Sequence, residues 1–340
     1  MESGSAGWHI GVLMKKKLAA GFLLSAILVF LSVRGIDFGT VVEGFHAVRY
    51  GYVLLFLVII LIMQGLRSVR WGLILSPLDR VDQLSLFSVT SVGFLAITAL
   101  PARLGELARP YLITKKSRIK MPAALGTILV ERAFDSIAVL LIFATALILI
   151  PALPTWLTTS AIFVFFITLA LLALMIVIPA KRDASLKALN PLINRLPDRF
   201  AGKLRSMLHH LIDGFMIFRD FKLLVTVSLY SLAIWMIDVL AVYSLFFAFD
   251  FHLSIMAATV SVVILLIGIA IPTAPGFIGN WHYACIVGLT LFGIPKADAL
   301  SFAIIYHFLS IAMITVLGLI FLPFNKFSLP DLKKEAATRQ

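Results

Sequence analysis

Apolar residues in this chain come in blocks rather than in alternation. Nine blocks stand out, at 18–33, 52–66, 84–100, 123–150, 157–178, 223–249, 253–271, 277–294 and 299–323. Most approach the roughly 20 residues an α-helix needs to cross a hydrocarbon core. The period-two alternation of a transmembrane barrel strand is absent. The pattern predicts an all-α polytopic membrane protein. Two of the blocks are interrupted. The 84–100 block runs into Pro101-Ala102-Arg103-Leu104-Gly105 and resumes as a short helix to 114, and the 253–271 block runs into Pro272-Thr273-Ala274-Pro275-Gly276-Phe277-Ile278-Gly279 before a second leg to 294. Proline and glycine end a helix, and non-helical backbone at membrane depth survives only inside protein or against a wet cavity. Each is therefore predicted to be a re-entrant helical hairpin, at about 84–114 and 253–294, leaving about six spanning helices.

Composition agrees. Of the 340 residues 61% are hydrophobic and 14% charged, and mean hydropathy is +1.04. That excludes an ordinary soluble domain and a disordered chain. Cys285 is the single cysteine, so no intramolecular disulfide can form. Zinc-spaced Cys/His clusters, a Walker A loop and GxGxxG are all missing. Neither a metal nor a cofactor is expected.

The net charge of +12 sets the topology. Basic residues flank the 84–100 block on both sides, which a simple crossing would violate under the positive-inside rule. With a hairpin there, 25 Lys/Arg fall on one side, against Arg34, Arg49 and Lys296 on the other, with Arg132 inside a helix. Both termini are then cytoplasmic, in a multi-pass protein of a bacterial or archaeal inner membrane. The first block follows Lys15-Lys16-Lys17 but has no cleavage site, so it reads as an uncleaved helix. The excess charge implies anionic lipid headgroups as partners, not nucleic acid.

The division expected is an N-terminus at 1–17, a first repeat at 18–150, and the start of a second at 151–178. A basic linker at 179–222, the rest of the second repeat at 223–323 and a tail at 324–340 follow. Each half reads span, span, hairpin, span in opposite orientation, the pointer to an inverted-topology repeat. In the linker, Phe200, Leu204, Met207, Leu211, Phe215 and Phe218 recur at steps of three or four, one apolar helical stripe. It suits either an interfacial helix or a helix capping the bundle.

Ionisable groups within a membrane are functional candidates by default. They are Arg103, Glu106 and Arg109 in the first hairpin, Glu131, Arg132 and Asp135 on the third span, Asp238 on the fifth, and His282 and His307 near the second hairpin, whose break holds Pro275 and Gly276. Spacings of three place Glu106 near both hairpin arginines, and spacing of four puts Glu131 and Asp135 on one helix face. Two helix N-termini at the breaks, with three arginines, would suit a phosphate. The alternative is a set of closed ion pairs holding broken helices together. No catalytic constellation appears, so an enzyme is not expected.

These residues also carry a family resemblance. Pro101-x-Arg103-x-Gly105-Glu106-x-x-Arg109, Glu131-Arg132-x-x-Asp135 and Pro272-x-x-Pro275-Gly276 resemble the lysylphosphatidylglycerol synthase transmembrane-domain family, a flippase-like domain. The resemblance spans about residues 15–325 and implies transbilayer movement of an anionic or lipid-linked substrate, here without a synthase domain. Two positions depart from the family pattern. His282 stands where the family's Pro-Gly-Gly-x-Gly-x-x-Glu has Glu, and His307 where it often has Arg, giving a neutral, pH-responsive His–His pair. The other expectations are a small-molecule or ion-coupled exporter, and a non-transporting accessory subunit of a membrane glycosyltransferase or isoprenoid-lipid pathway. A second copy of the chain, or a glycosyltransferase or lipid-synthesis protein, is the corresponding protein partner.

Overall fold

The computed structural model describes residues 19–100, 105–150, 153–195, 197–271 and 273–325, and no strand occurs among them. The helices are α1 (Ala19–Val33), α2 (Phe38–His46), α3 (Tyr50–Leu75), α4 (Gln83–Ala99), α5 (Ala108–Thr114), α6 (Met121–Leu149), α7 (Thr155–Ala180), α8 (Arg182–Ile193), α9 (Asp198–Asp213), α10 (Phe221–Ala248), α11 (Ile255–Ala270), α12 (Asn280–Thr290) and α13 (Lys296–Phe321). Five helices, α3, α6, α7, α10 and α13 with its terminal 3-10 turn, are long and apolar enough to cross a bilayer, and α1 with α2 makes a sixth if the bent pair is one span. The protein is an all-helical polytopic membrane protein, as the blocks predict.

Two helices differ from the sequence reading. The 18–33 block is not a straight span followed by loop: the chain turns through 82° after α1 and continues as α2. Gly35 supplies the turn at φ 73°, and Asp37 restarts the helix by accepting the Gly39 N–H at 2.9 Å, an N-cap. The second span, expected at 52–66, runs on to Leu75. Arg67 and Arg70 do not stop it because Trp71, Ile74 and Leu75 resume the apolar face and are fully buried.

The helices on either side of the two interruptions are short. α4 has 17 residues, α5 has 7, α11 has 16 and α12 has 11, each below the roughly 20 that a crossing requires. In the second hairpin a Cβ on Gly268 would lie 2.6 Å from Ala284 Cβ, and one on Gly288 3.2 Å from Ser261 Cα. Glycine at these two positions lets α11 and α12 touch. In the first, any side chain at Gly105 would overlap the backbone of Ala96 and Ile97.

The chain forms two compact units, each assembled from separated segments rather than from one half of the sequence. One comprises Met1–Leu61, Phe94–Glu106 and Ile237–Leu317; the other comprises Ile62–Gly93, Leu107–Met236 and Gly318–Gln340. In the second unit Phe215 and Ile217 pack with Ile74, Val130, Ala133, Phe134, Met175 and Val227. The predicted linker stripe is thus divided. Its C-terminal end (Leu211, Phe215, Phe218) joins this core, whereas Phe200 and Met207 stay exposed. Arg182 ties the linker together by an ion pair to Asp213 at 2.9 Å.

Candidate functional site: a buried ion cluster and a histidine-tied hairpin

The second unit buries four charges together. Glu131 and Asp135 lie one turn apart on α6, Arg70 near the end of α3, and Arg109 at the second residue of α5. Arg109 donates through both terminal nitrogens to both Glu131 oxygens, each at 2.9 Å. This is the two-pronged arginine–carboxylate geometry. Arg70 bonds Asp135, lies 3.4 Å from a Glu131 oxygen, and donates to Ser231 Oγ at 2.9 Å. Trp235 donates its indole N–H to Asp135 at 2.9 Å. The Arg109 guanidinium sits 4.3 Å from the centre of the Trp71 ring, a cation–π contact, and Trp71 in turn donates to Thr127 Oγ1 at 3.2 Å. Arg70, Arg109, Glu131 and Asp135 are all buried. Two cations face two anions, so the cluster is formally neutral. Buried charges persist only when paired and hydrogen-bonded in this way. Gly93 of α4 makes room for it, since any side chain there would occupy the space of the Arg109 stem.

The sequence candidates divide accordingly. Arg109, Glu131 and Asp135 meet. Arg132, beside Glu131 in sequence, is exposed on α6. Glu106 and Asp238 are half-buried, and Arg103 lies outside the described residues. Arg70 is not among the sequence candidates, because it lies beyond the 52–66 block with the basic residues that precede residue 84. The signal that finds it is the apolar run Trp71-Gly-Leu-Ile-Leu immediately after it, which shows that the helix continues. Trp71, Thr127, Ser231 and Trp235 carried no such signal.

The second centre lies within the first unit. His307 donates its Nε2–H to the Gly276 carbonyl at 2.7 Å; a carbonyl only accepts, which fixes the proton on Nε2. Gly276, Phe277 and Gly279 all have positive φ, at 72°, 58° and 93°, and a non-glycine residue in that region is strained. The tip after Pro275 is thus a sharply turned segment tied to α13 by one histidine. The His282 and His307 rings stand perpendicular, 4.8 Å apart, and Trp281 lies 5.0 Å from His307. Ser25 of α1 brackets the same tip, donating to Ile278 O at 2.7 Å and accepting from Ala274 N–H at 3.0 Å. Asn280 donates to the Gly268 and Ile271 carbonyls, both at 3.1 Å, and so closes the end of α11. No group of three or more metal-ligating side chains occurs among the described residues.

Apolar helices of spanning length, with a neutral cluster of buried charges in the second unit, define a polytopic helical membrane protein. The chain belongs to the family described as the lysylphosphatidylglycerol synthase TM region, whose model matches residues 18–318. It is similar to a UPF0104 membrane protein of Methanothermobacter thermautotrophicus, 25% identical over 328 residues, covering 92% of this chain and 96% of the relative. A UPF0104 membrane protein of Methanocaldococcus jannaschii is 26% identical over 227 residues, covering 65% of this chain and 90% of that protein. No solved structure matches.

Proposed function

We propose that the protein moves an anionic or lipid-linked amphiphile between the leaflets of a bacterial or archaeal cytoplasmic membrane, and that it does so without catalysing a reaction. The observation that carries this reading is the buried Arg109–Glu131 pair. A buried ion pair is weak as a source of stability, because desolvation offsets its attraction, and charges inside membrane domains mark substrate or ion paths. The two-pronged grip of Arg109 on a carboxylate is also the grip by which a guanidinium takes a phosphate. In this reading Glu131 holds Arg109 in that geometry between substrate visits, and Arg70, 3.4 Å from a Glu131 oxygen, is the one cation left beside it when Arg109 lets go. The helical hairpins dip into the membrane from opposite sides as members of an inverted repeat, with both termini cytoplasmic. The lipid-related family description supports the substrate class.

The test is leaflet transfer in liposomes containing the purified protein and a fluorescent phosphatidylglycerol, read by quenching of the outer leaflet. The expected result is faster loss of the protected inner fraction than in protein-free vesicles. A rate no faster than in protein-free vesicles, or equal transfer of phosphatidylglycerol and an uncharged lipid, would overturn the reading.

A further inference from the structure

The Arg70–Arg109–Glu131–Asp135 cluster balances its own charge, and Arg132 stands outside it. Arg132 is exposed on α6, and its guanidinium makes no hydrogen bond or ion pair among the described residues. It lies about 16 Å along the helix from Met121, at 1.5 Å per residue, within a helix apolar enough to span. On the same face, at steps of three and four, are Leu125, Leu129, Ser136 and Leu140; Leu129 is 45% exposed, and the other three are half-buried. This is a largely apolar, partly exposed stripe with one charge in it.

An arginine in that position needs an anion. Placed at a helix centre in hydrocarbon it costs about 2.5–3.5 kcal/mol. Neither carboxylate beside it bonds to it: Glu131, whose charge it shares only through space, is bonded to Arg109 and Arg70, and Asp135 to Arg70 and Trp235. At a lipid-facing surface the anion present at high concentration is the phosphate of a phospholipid, whose acyl chains would lie along Leu125, Leu129 and Leu140. Arginine takes phosphate with two parallel N–H bonds. We propose that Arg132 is a phospholipid-phosphate site on the outer face of α6, holding one headgroup below the level of its neighbours and one residue from the buried cluster. The contact stands on the geometry of α6 alone. Its role as the point where a headgroup leaves the leaflet rests on the transport reading above.

The site is tested by photo-crosslinking from the neighbouring position, with benzoylphenylalanine replacing Leu129, in nanodiscs of phosphatidylglycerol and, separately, of a neutral lipid doped with diacylglycerol of the same chains. Mass spectrometry identifies what is attached. Phosphatidylglycerol should crosslink well and diacylglycerol poorly. Arg132→Gln should lower the phosphatidylglycerol yield about tenfold, the loss of roughly one charge-assisted hydrogen-bonded contact. Arg132→Lys should retain part of it, because lysine offers charge without the fork. Thermal melting of Arg132→Gln should match the unsubstituted protein, since Arg132 holds no other side chain. An Arg132→Gln yield that does not fall overturns the proposal, as does equal capture of diacylglycerol. Displacement of the lipid by soluble inorganic phosphate would make this a free-phosphate site, and a crosslink between two copies of the chain would make the face an oligomer contact; each also overturns it. The two readings fail separately. Arg132-dependent crosslinking without leaflet transfer would leave this site and remove the transport reading. Transfer with Arg132-independent crosslinking would do the reverse.

Discussion

Replacing Glu131 by glutamine is the perturbation that most directly measures what the buried cluster does. In the native protein Arg70 and Arg109 face Glu131 and Asp135. The substitution leaves two buried guanidinium groups against one carboxylate, and of the two 2.9 Å bonds that Arg109 makes it keeps at most one, because an amide has a single accepting oxygen. A hydrogen bond to a charged group contributes about 1.5–3 kcal/mol, and breaking a buried pair by removing one partner costs about 3–5 kcal/mol, because the other charge is left uncompensated. A loss of about 3–5 kcal/mol is expected, read as a shift in denaturant titration of the purified protein in mixed micelles. Arg109→Met alone should cost a similar amount, since it strands the carboxylate. The double variant Glu131→Met with Arg109→Met removes both charges and leaves Arg70 with Asp135, still neutral. It should fall within about 1–2 kcal/mol of the native protein, as replacement of buried pairs by apolar side chains often does. With single losses of about 3–5 kcal/mol each, the coupling energy would then be at least about 4 kcal/mol. Additive costs in the double variant, or a Glu131→Gln loss below about 1 kcal/mol, would refute the claim that these residues form one compensated unit.

Two further outcomes follow from the local geometry. His307→Ala frees the Gly276 carbonyl, so amide exchange over 276–282 should rise about tenfold, the worth of one net hydrogen bond, with exchange over 237–248 unchanged; unaltered protection at the tip would show that another contact holds it. Asp82 accepts the Ser85 N–H at 2.8 Å at the start of α4, and that bond, helped by the Ser85 hydroxyl, holds its carboxyl below the ordinary value. Its folded pKa is depressed, so its contribution is present above the unfolded value near 3.9 and is lost as pH falls through the folded one. Asp82→Ala should therefore cost about 1 kcal/mol at pH 7, with a gap that narrows as pH falls below the unfolded value; an unchanged gap at low pH would argue against the cap.

The class of this protein was legible in its sequence because apolar block length and the Pro/Gly interruptions are properties of single segments. A run of about 20 apolar residues has one stable place, and a helix must end where its N–H groups are missing or its backbone turns. The same local reasoning identified Arg109, Glu131 and Asp135, since few charges survive in such segments without a role. It misjudged Arg70, because a helix end was inferred from charge alone, whereas Trp71, Ile74 and Leu75 bury the same turn. Helix spacing also separated Arg132 from the face shared by Glu131 and Asp135, and the structure places Glu131 in the cluster and Arg132 on the surface. Which carboxylate holds which arginine, that Trp71 and Trp235 complete the cluster, and that His307 ties down Gly276 across 31 residues were decided by tertiary structure alone. Burial and pairing depend on which helix faces come together, and a single segment carries no record of its neighbour.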